Sequence, residues 1–478
     1  MNIHQVLQEK FGYSSFRDGQ QEVIEAILRQ EDVLALLPTG TGKSLCYQLP
    51  AYMLDGPVLI ISPLLSLMQD QVDQLKKLGE KNVIAFNSFL SQPDKMNALE
   101  YLSFYKFIFI SPEMLATKVF QERFKQVRYA FIVVDEAHCL SQWGFDFRPD
   151  YLRLKEFLND IPKTPIVALT ATATTQVMKD IKHYLMMASP FKYIQSVDRP
   201  NIKLMKKHFE ERREKKAWLI EHIQSTAGPG IVYMQSKRRA DELADELIQR
   251  GIACASYHAG LDNEDRQFIQ QQFLNGTLNW VIATNAFGMG VHKGDIRQVI
   301  HESMPATVAN YLQEIGRAGR DGSDAVAIML TSPQDKEVAT FLAEEDLPTD
   351  AHIDAFLRNP TQKYDPTLFF DQYRMTETIY RVLHYWLSTE SVEQVKLRLS
   401  QLRLTKRSEV EKMASIIEGN SCIRQKVLEY FGQVLGSPVE ICCSNCGLEE
   451  DTLVKERKFE EIHDHKQNWE SRLKSLLL

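Results

Sequence analysis

Four short apolar runs rich in β-branched residues, Val58–Ile61, Phe107–Ile110, Phe131–Val134 and residues 166–169, recur along the first third of the chain with helical periodicity between them. A strand that is apolar on both faces must be buried on both faces, and successive strands of this kind joined by helices form a parallel sheet with helices packed on each side. The pattern therefore restricts this part of the chain to an α/β architecture. A polar, proline-containing stretch at residues 196–201 interrupts it, and it then restarts, with candidate strands at residues 231–234, Trp280–Ala283, Gln298–His301 and residues 325–329. The spacing assigns residues 1–196 and 197–345 to two parallel-sheet domains, within the range of about two to four domains that a chain of 478 residues accommodates.

Another apolar run, residues 33–37, leads into Leu36-Leu-Pro-Thr-Gly-Thr-Gly-Lys-Ser44 and then into a helix-like segment at residues 45–53. A strand that turns through small residues into a helix leaves backbone N–H groups unpaired at the helix start, which suits a polyphosphate. Thr39, Gly40, Thr41 and Gly42 make the turn, Lys43 would reach the β/γ-phosphates and Ser44 would hold Mg²⁺. The full phosphate-loop pattern has a glycine five residues before Gly42, where this chain has Leu37. The run Phe131–Val134 ends in Asp135-Glu136-Ala137-His138. Carboxylates at a strand end project where parallel sheets bind ligands, so Asp135 would complete the Mg²⁺ shell and Glu136 would orient or deprotonate the attacking water.

The second domain has no phosphate loop of its own, which points to one site shared across the interface. Its segment Tyr311-Leu-Gln-Glu-Ile-Gly-Arg317-Ala-Gly-Arg320-Asp-Gly322 places two arginines three apart on one helical face, with small residues that permit close approach. Arginine supplied across an interface to a γ-phosphate is the arginine-finger arrangement. Ahead of the phosphate loop, a break at Phe11-Gly12-Tyr13 is followed by Phe16, Arg17 and Gln20. An amide and an aromatic ring here suit an adenine base; they equally suit an amphipathic helix with an aromatic cap. After the acidic pair, residues 141–149 bring together Trp143, Phe145, Phe147 and Arg148 in a loop broken by glycine and proline. Rings beside a cation suit stacking on single-stranded bases, at about 1–3 kcal/mol per base; the alternative is that Trp143 and Phe147 anchor the loop in the core. Thr170-Ala-Thr172 at the next strand end could link nucleotide state to the neighbouring domain.

Net charge is −7 and the pI about 6.0, so any nucleic-acid surface must be local. The first ten residues lack an apolar signal core and no stretch approaches the ~20 apolar residues of a membrane span, so a cytoplasmic protein without membrane contact is expected. Of seven cysteines, Cys422, Cys442, Cys443 and Cys446 cluster late. Without a secretion signal such a cluster reads as a metal site, and four thiolates make the closed tetrahedral shell of a structural zinc. Three ligands and a free thiol is the other possibility, because adjacent Cys442 and Cys443 must both turn towards one ion.

Taken in order, these residues resemble the RecQ helicases, a branch of helicase superfamily 2. The matching motifs cover residues 1–333: Phe11-Gly-Tyr13, Phe16-Arg17 and Gln20, residues 38–44, Ser62-Pro-Leu-Leu-Ser-Leu-Met-Gln-Asp-Gln71, residues 135–138, the aromatic-rich loop, Ala283-Thr-Asn-Ala-Phe-Gly-Met-Gly290 and residues 313–322. The resemblance implies ATP-driven 3′-to-5′ movement along single-stranded DNA by two RecA-like lobes, with a mostly helical zinc-binding subdomain after them. It implies ATP, Mg²⁺ and structural Zn²⁺ as cofactors, single-stranded and forked DNA as partners, and a role in DNA repair or recombination. A monomer, single-strand-binding protein as a partner and a bacterial nucleoid setting go with it. Carried over by position, Gln20 and Arg17 would contact adenine with Tyr13 stacking. Gln313, Arg317 and Arg320 would close on the nucleotide from the second lobe, and Trp143, Phe147 and Arg148 would couple DNA binding to hydrolysis. The family also favours all four cysteines as ligands. Its aromatic loop often has His where this chain has Phe145.

The C-terminal third departs from longer members. Only 32 residues follow Cys446, too few for the winged-helix domain that many RecQ proteins append. Residues 346–408 read as a helical insertion, 409–450 as the zinc subdomain and 451–478 as a tail, a plan similar to the short RecS-type members. Within the insertion, residues 376–388 and 392–404 read as helices, the second with Val392, Val395, Leu399 and Leu402 on one face. Lys396, Arg398, Arg403, Lys406 and Arg407 make it locally basic, which suits a solvated helix face or a duplex-binding element. Asp-Glu-Ala-His also occurs in RNA helicases, and an ATP-gated DNA-binding protein that unwinds little is the reading of another class.

Overall fold

Runs of valine, isoleucine and phenylalanine that cannot face water on either side build two parallel sheets. The computed structural model describes residues 2–63, 65–87, 90–141, 149–226, 228–288, 293–359, 366–436 and 441–449. The first sheet contains β1 (Val33–Leu36), β2 (Val58–Ile61), β3 (Val83–Phe86), β4 (Phe107–Ile110), β5 (Phe131–Val134), β6 (Ile166–Thr170) and β7 (Phe191–Ile194), in the order β3-β4-β2-β5-β6-β1-β7. The second contains β8 (Ile202–His208), β9 (Gly230–Tyr233), β10 (Cys254–Tyr257), β11 (Trp280–Ala283), β12 (Gln298–His301) and β13 (Ala325–Thr331), in the order β10-β11-β9-β12-β13-β8. Every strand pair is parallel.

The strands that the apolar pattern does not announce are β3, β7, β8 and β10, and these are the two edges of each sheet. Edge strands are covered on fewer sides, so their residues alternate between buried and part-exposed: β7 is nowhere fully buried and β10 is buried only at its ends. The central strands β1, β2, β4, β5 and β6 are buried at every residue. Register sets Leu36 of β1 beside Thr170 of β6, and Val134 of β5 beside Ala168. The phosphate loop, Asp135-Glu136 and Thr170 thus leave the sheet at the same edge.

After β13, a helical layer contains Asp335–Glu345, Asp350–Arg358, Pro366–Tyr373, Glu377–Thr389 and a long helix, Val392–Glu418. Its own core gathers Ile353, Phe356, Phe369, Leu383 and Trp386 with Val395, Leu399 and Leu402 from the expected stripe. The long helix runs straight through residue 408, where an insertion was expected to end and a zinc subdomain to begin. A capping box starts it, with Ser391 Oγ accepting from the Gln394 N–H and Gln394 Oε1 accepting from the Ser391 N–H. No glycine or proline then occurs until Gly419. Its first half packs on the helical layer, while Val410, Met413 and Ile417 join a buried cluster that extends through both sheets to Cys442 and Cys443.

Contacts in two places, among others, tie the C-terminal region back onto the sheets. The Leu204 N–H of edge strand β8 donates to the Cys442 carbonyl at 3.1 Å, and Leu204 pairs with Cys443, which covers an edge that would otherwise be open. From the helical layer, Arg381 pairs with Asp150 at 3.3 Å and Tyr385 stands under the Arg153 guanidinium at 5.5 Å. The basic stretch of the long helix is largely occupied locally. Lys396 faces Asp350, Arg398 pairs with Glu390, Arg403 donates to the Pro348 carbonyl and Arg407 pairs with Glu344. No helix among the described residues is long and apolar enough to cross a membrane.

The second sheet is pinned by a buried ion pair. Lys215 Nζ lies 2.7 Å from Asp335 Oδ2 and also donates to the Glu302 carbonyl, while the Ser332 N–H and hydroxyl donate to Asp335. Replacing one member of such a pair leaves a charge buried without its counter-ion. Asp335→Asn is expected to destabilise this lobe by about 3–5 kcal/mol, read as a lower urea midpoint for the transition reported by Trp280 fluorescence.

A candidate nucleotide site between the lobes and a four-cysteine centre

Glycine geometry shapes the phosphate loop. Gly40 and Gly42 have φ of +88° and +79°, the left-handed region in which a side chain is strained. A Cβ on Gly42 would also lie 2.8 Å from Gln20 Nε2. The loop delivers Lys43 and Ser44 to the first turn of the helix Lys43–Ala51, whose N-cap has no side-chain hydrogen bond. That leaves the helix-start N–H groups available to an anion. Gln20 opens the helix Gln20–Leu28 and donates to the carbonyls of Thr41 at 2.8 Å and Gly42 at 3.2 Å, and Arg17 donates to the Gly40 carbonyl. The two side chains expected against adenine therefore brace the phosphate loop in this structure. Tyr13 is exposed just before them.

Across the sheet edge, Glu136 adopts the left-handed backbone at φ +47°, an uncommon conformation for a residue with a side chain and one that costs about 1–3 kcal/mol. Its Oε1 lies 3.6 Å from Lys43 Nζ and its Oε2 lies 3.4 Å from His138 Nδ1. Burial works against the Glu136 carboxylate, but Lys43, His138 and Arg317 outweigh it and hold its pKa below the usual range. Burial, then the Glu136 charge, pushes the Asp135 carboxyl upward. A cation beside Asp135 would relieve that penalty, so the Asp135 environment fits the Mg²⁺ expected there with Ser44. His138 Nδ1 is also 3.0 Å from Thr170 Oγ1, and Thr170 Oγ1 donates to the Thr172 carbonyl, so a polar chain leads from Glu136 to the Thr170-Ala-Thr172 turn.

The second lobe meets this edge through the turn after the helix Val308–Ile315. Thr39 Oγ1 donates to the Gly316 carbonyl at 2.9 Å. A Cβ on Gly316 would sit 2.5 Å from Thr39 Oγ1, and one on Gly40 would sit 3.2 Å from Arg320 Cγ. Small residues on both sides are what permit the approach. Gln313 and Arg317 are buried at the seam. Arg317 packs against Gly288, and its Nε has no hydrogen-bond partner among the described residues. Burial, then Arg317 and Arg199, pushes the Arg320 guanidinium down to about 9. Lys43 and Arg317 thus act on the Glu136 carboxylate, and Arg320 lies close enough to Arg317 to feel its charge, a setting that a polyanion would stabilise. Arg199 was not legible as a site residue, since it lies in the stretch read only as a linker.

Cys422, Cys442, Cys443 and Cys446 have their sulfur atoms within 4.8 Å of one another. Four separations are 3.4, 3.7, 4.0 and 3.5 Å, close to the ~3.8 Å edge of a tetrahedron with Zn–S bonds of about 2.3 Å. Burial opposes ionisation of Cys443, but the backbone N–H of Ile423, the Cys446 thiol and the backbone N–H groups of Asn445 and Cys446 outweigh it and lower its pKa. The donor set fits one Zn²⁺ held by all four thiolates, the adjacent pair included. Trp143, Phe145, Phe147 and Arg148 lie outside the described residues, as does the end of the Ala283–Gly290 motif.

A phosphate loop on one parallel sheet, facing arginines from a second, defines the core of a two-lobed nucleic-acid helicase. Family models agree: DEAD/DEAH box helicase matches residues 17–181 and Helicase conserved C-terminal domain matches residues 214–322. The chain is 42% identical over 469 residues to RecS of Bacillus subtilis (strain 168), named a probable ATP-dependent DNA helicase, which covers 96% of this chain and 94% of that protein. It is 42% identical over 332 residues to the ATP-dependent DNA helicase RecQ of Haemophilus influenzae, covering 69% of this chain and 53% of that one. The chain belongs to the RecQ family of DNA helicases, and it is an ATP-dependent DNA helicase similar to the short RecS form. Among solved structures, the DUF1998 helicase MrfA bound to DNA and AMPPNP superposes with a TM-score of 0.58 at 19% identity, over 72% of this chain and 52% of that one. S. cerevisiae Dbp5 bound to RNA and ADP BeF3 gives 0.57 at 20%, over 72% and 90%. At these identities the two share the fold.

Gly316 has an ordinary right-handed backbone, with φ −62°, so alanine there is not strained by its own φ; its Cβ would press hardest on Thr39 Oγ1, at 2.5 Å, and would sit 3.0 Å from the Leu312 carbonyl oxygen. Gly316→Ala is expected to cut DNA-stimulated ATPase on the order of ten- to a hundredfold, with less than additive loss in Gly316→Ala/Thr39→Ala, measured by steady-state hydrolysis. Cys446→Ser is expected to lower zinc content, measured by elemental analysis, and to expose the C-terminal region to protease, because structural zinc binding is folding free energy.

Proposed function

We propose that this helicase hydrolyses ATP between its lobes and uses closure and release of that seam to move 3′ to 5′ along single-stranded DNA, opening forked duplexes in repair or recombination. The observation that carries this reading is the Thr39–Gly316 contact, which brings the phosphate loop of one lobe against the arginine-bearing turn of the other. In this reading Lys43 and the N-terminus of the helix Lys43–Ala51 bind the phosphates, with Thr39, Gly40, Thr41 and Gly42 wrapping them. Ser44 and Asp135 hold Mg²⁺, which supplies charge neutralisation at the phosphates. Glu136, kept ionised by Lys43 and His138, orients and deprotonates water. Gln313, Arg317 and Arg320 stabilise charge on the transferring phosphoryl group. Gln20 and Arg17 receive the adenine with Tyr13 while bracing the loop, so base recognition and phosphate geometry are linked. Trp143, Phe145, Phe147 and Arg148 stack on and hold DNA, and the polar chain from Glu136 to Thr172 reports the nucleotide state to the cleft between the lobes. The four cysteines bind zinc as a structural centre.

A second reading, ATP-gated DNA binding with little strand separation, is favoured by one observation: the basic face of the long helix is largely paired with local acids and carbonyls, which leaves little of it for a duplex. Strand displacement separates the two. The expected result is ATP-dependent displacement on a forked duplex with a 3′ tail, none with only a 5′ tail, and none for Lys43→Ala, which keeps its fold because no core atom is lost. Hydrolysis stimulated by single-stranded DNA without displacement would support the second reading, and equal stimulation by RNA would remove the preference for DNA.

A further inference from the structure

The connection between β7 and β8 carries Asp198-Arg199-Pro200-Asn201, and the Arg199 guanidinium reaches both lobes. Its Nη1 donates to the Thr39 carbonyl at 3.3 Å and the Gly316 carbonyl at 3.5 Å, and its Nη2 donates to Ala318 at 3.1 Å and Gly319 at 2.6 Å. Thr39 belongs to the phosphate loop, and residues 316–319 form the turn on which Arg317 and Arg320 are mounted. The neighbouring Asn201 amide reinforces that turn, donating to Gly319 at 2.8 Å and Ser323 at 2.9 Å. Arg199 is itself gripped from the C-terminal region. Arg424, almost wholly buried on the helix Ile423–Tyr430, donates to the Asp198 carboxylate, to the Arg199 carbonyl at 3.0 Å and to the Ile202 carbonyl. Thr39, Arg199, Gln313, Gly316 and Arg424 line a narrow cleft of about 30 Å³, room for about one or two waters.

We propose that Arg199 is a positioning residue of the ATP site, setting the separation of the phosphate loop from the Arg317/Arg320 turn, and that Arg424 fixes Arg199 so that the cysteine-bearing region bears on the same geometry. The role rests on the interlobe ATP site proposed above. An arginine that only held the fold would grip one body; this one spans the two whose spacing the chemistry requires. The planar guanidinium offers five donors in a fixed fork, which an ammonium on a flexible stem cannot reproduce. A misplacement of about 1 Å at such a seam can cost about 10²-fold in rate.

The test compares full-length wild type, Arg199→Lys, Arg199→Gln, Arg424→Gln and Arg199→Gln/Arg424→Gln. It uses single-stranded-DNA-stimulated ATPase resolved into kcat and KM, binding of a fluorescent non-hydrolysable ATP analogue, DNA affinity without nucleotide, and thermal melting. Both Arg199 variants are expected to lose at least about tenfold in kcat, with analogue and DNA affinities within about threefold of wild type. Arg424→Gln should fall in the same direction, and the double variant should be no slower than Arg199→Gln alone. If Arg199→Gln melts below the assay temperature, Arg199→Lys, which keeps the stem and the charge, supplies the comparison. Wild-type kcat in Arg199→Lys overturns the positioning role, and so does a lower melting temperature with kcat retained. Fully multiplicative losses in the double variant overturn the link to Arg424. A wild-type chain that hydrolyses no ATP overturns the interlobe site and this role together, whereas loss confined to the variants bears on Arg199 alone.

Discussion

The hydrogen bond from Thr39 to the Gly316 carbonyl joins residues 277 positions apart in sequence and is possible only because no side chain stands between them. Glycine at 316 and small residues in the phosphate loop let two backbones meet across a seam where buried cations gather. Those cations repel one another: Arg317 and Arg199 both depress the Arg320 pKa. A seam built of like charge is one that a polyanion would stabilise. The left-handed Glu136 belongs to the same logic, since its strain holds a carboxylate toward Lys43 that a relaxed turn would point elsewhere.

Legibility followed burial. Central strands announce themselves because both faces need apolar side chains, and β1, β2, β4, β5 and β6 were each readable as a run. Edge strands β7, β8 and β10 were not, because a half-covered strand mixes Lys192, Lys203 or Ser256 with its apolar residues and carries no continuous signal; β3 is an apolar run of four, Val83–Phe86, that was passed over. The long helix was read to residue 404 and divided at 408, although the first residue that stops it is Gly419. Nothing between those points breaks a helix, since Lys406 and Arg407 are good helix formers.

Site residues were legible where chemistry dictates residue type at fixed spacing. The phosphate loop, the strand-end acidic pair, the two arginines and the four cysteines all carry such signatures. Arg199 and Arg424 carry none, since their task is to donate to backbone carbonyls, and a carbonyl is offered by every residue. Only the fold says which carbonyls are within reach. Gln20 and Arg17 show the complementary case: they were read against adenine, whereas their grip on the loop carbonyls depends on how the helix Gln20–Leu28 docks against the helix Lys43–Ala51.

The long helix has a mechanical consequence. Twenty-seven residues at 1.5 Å each make a rod about 40 Å long. Its C-terminal half is seated beside the cysteine centre and β8, while its N-terminal half carries the helical layer that holds Arg381 against Asp150 at the end of the aromatic segment. A stiff rod pivoting near one end amplifies rotation into travel: about 5° at the cysteine end sweeps the far end through about 3.5 Å, more than the length of the Arg381–Asp150 contact. The helix therefore has the geometry of a lever arm between the cysteine centre and residues 149–153.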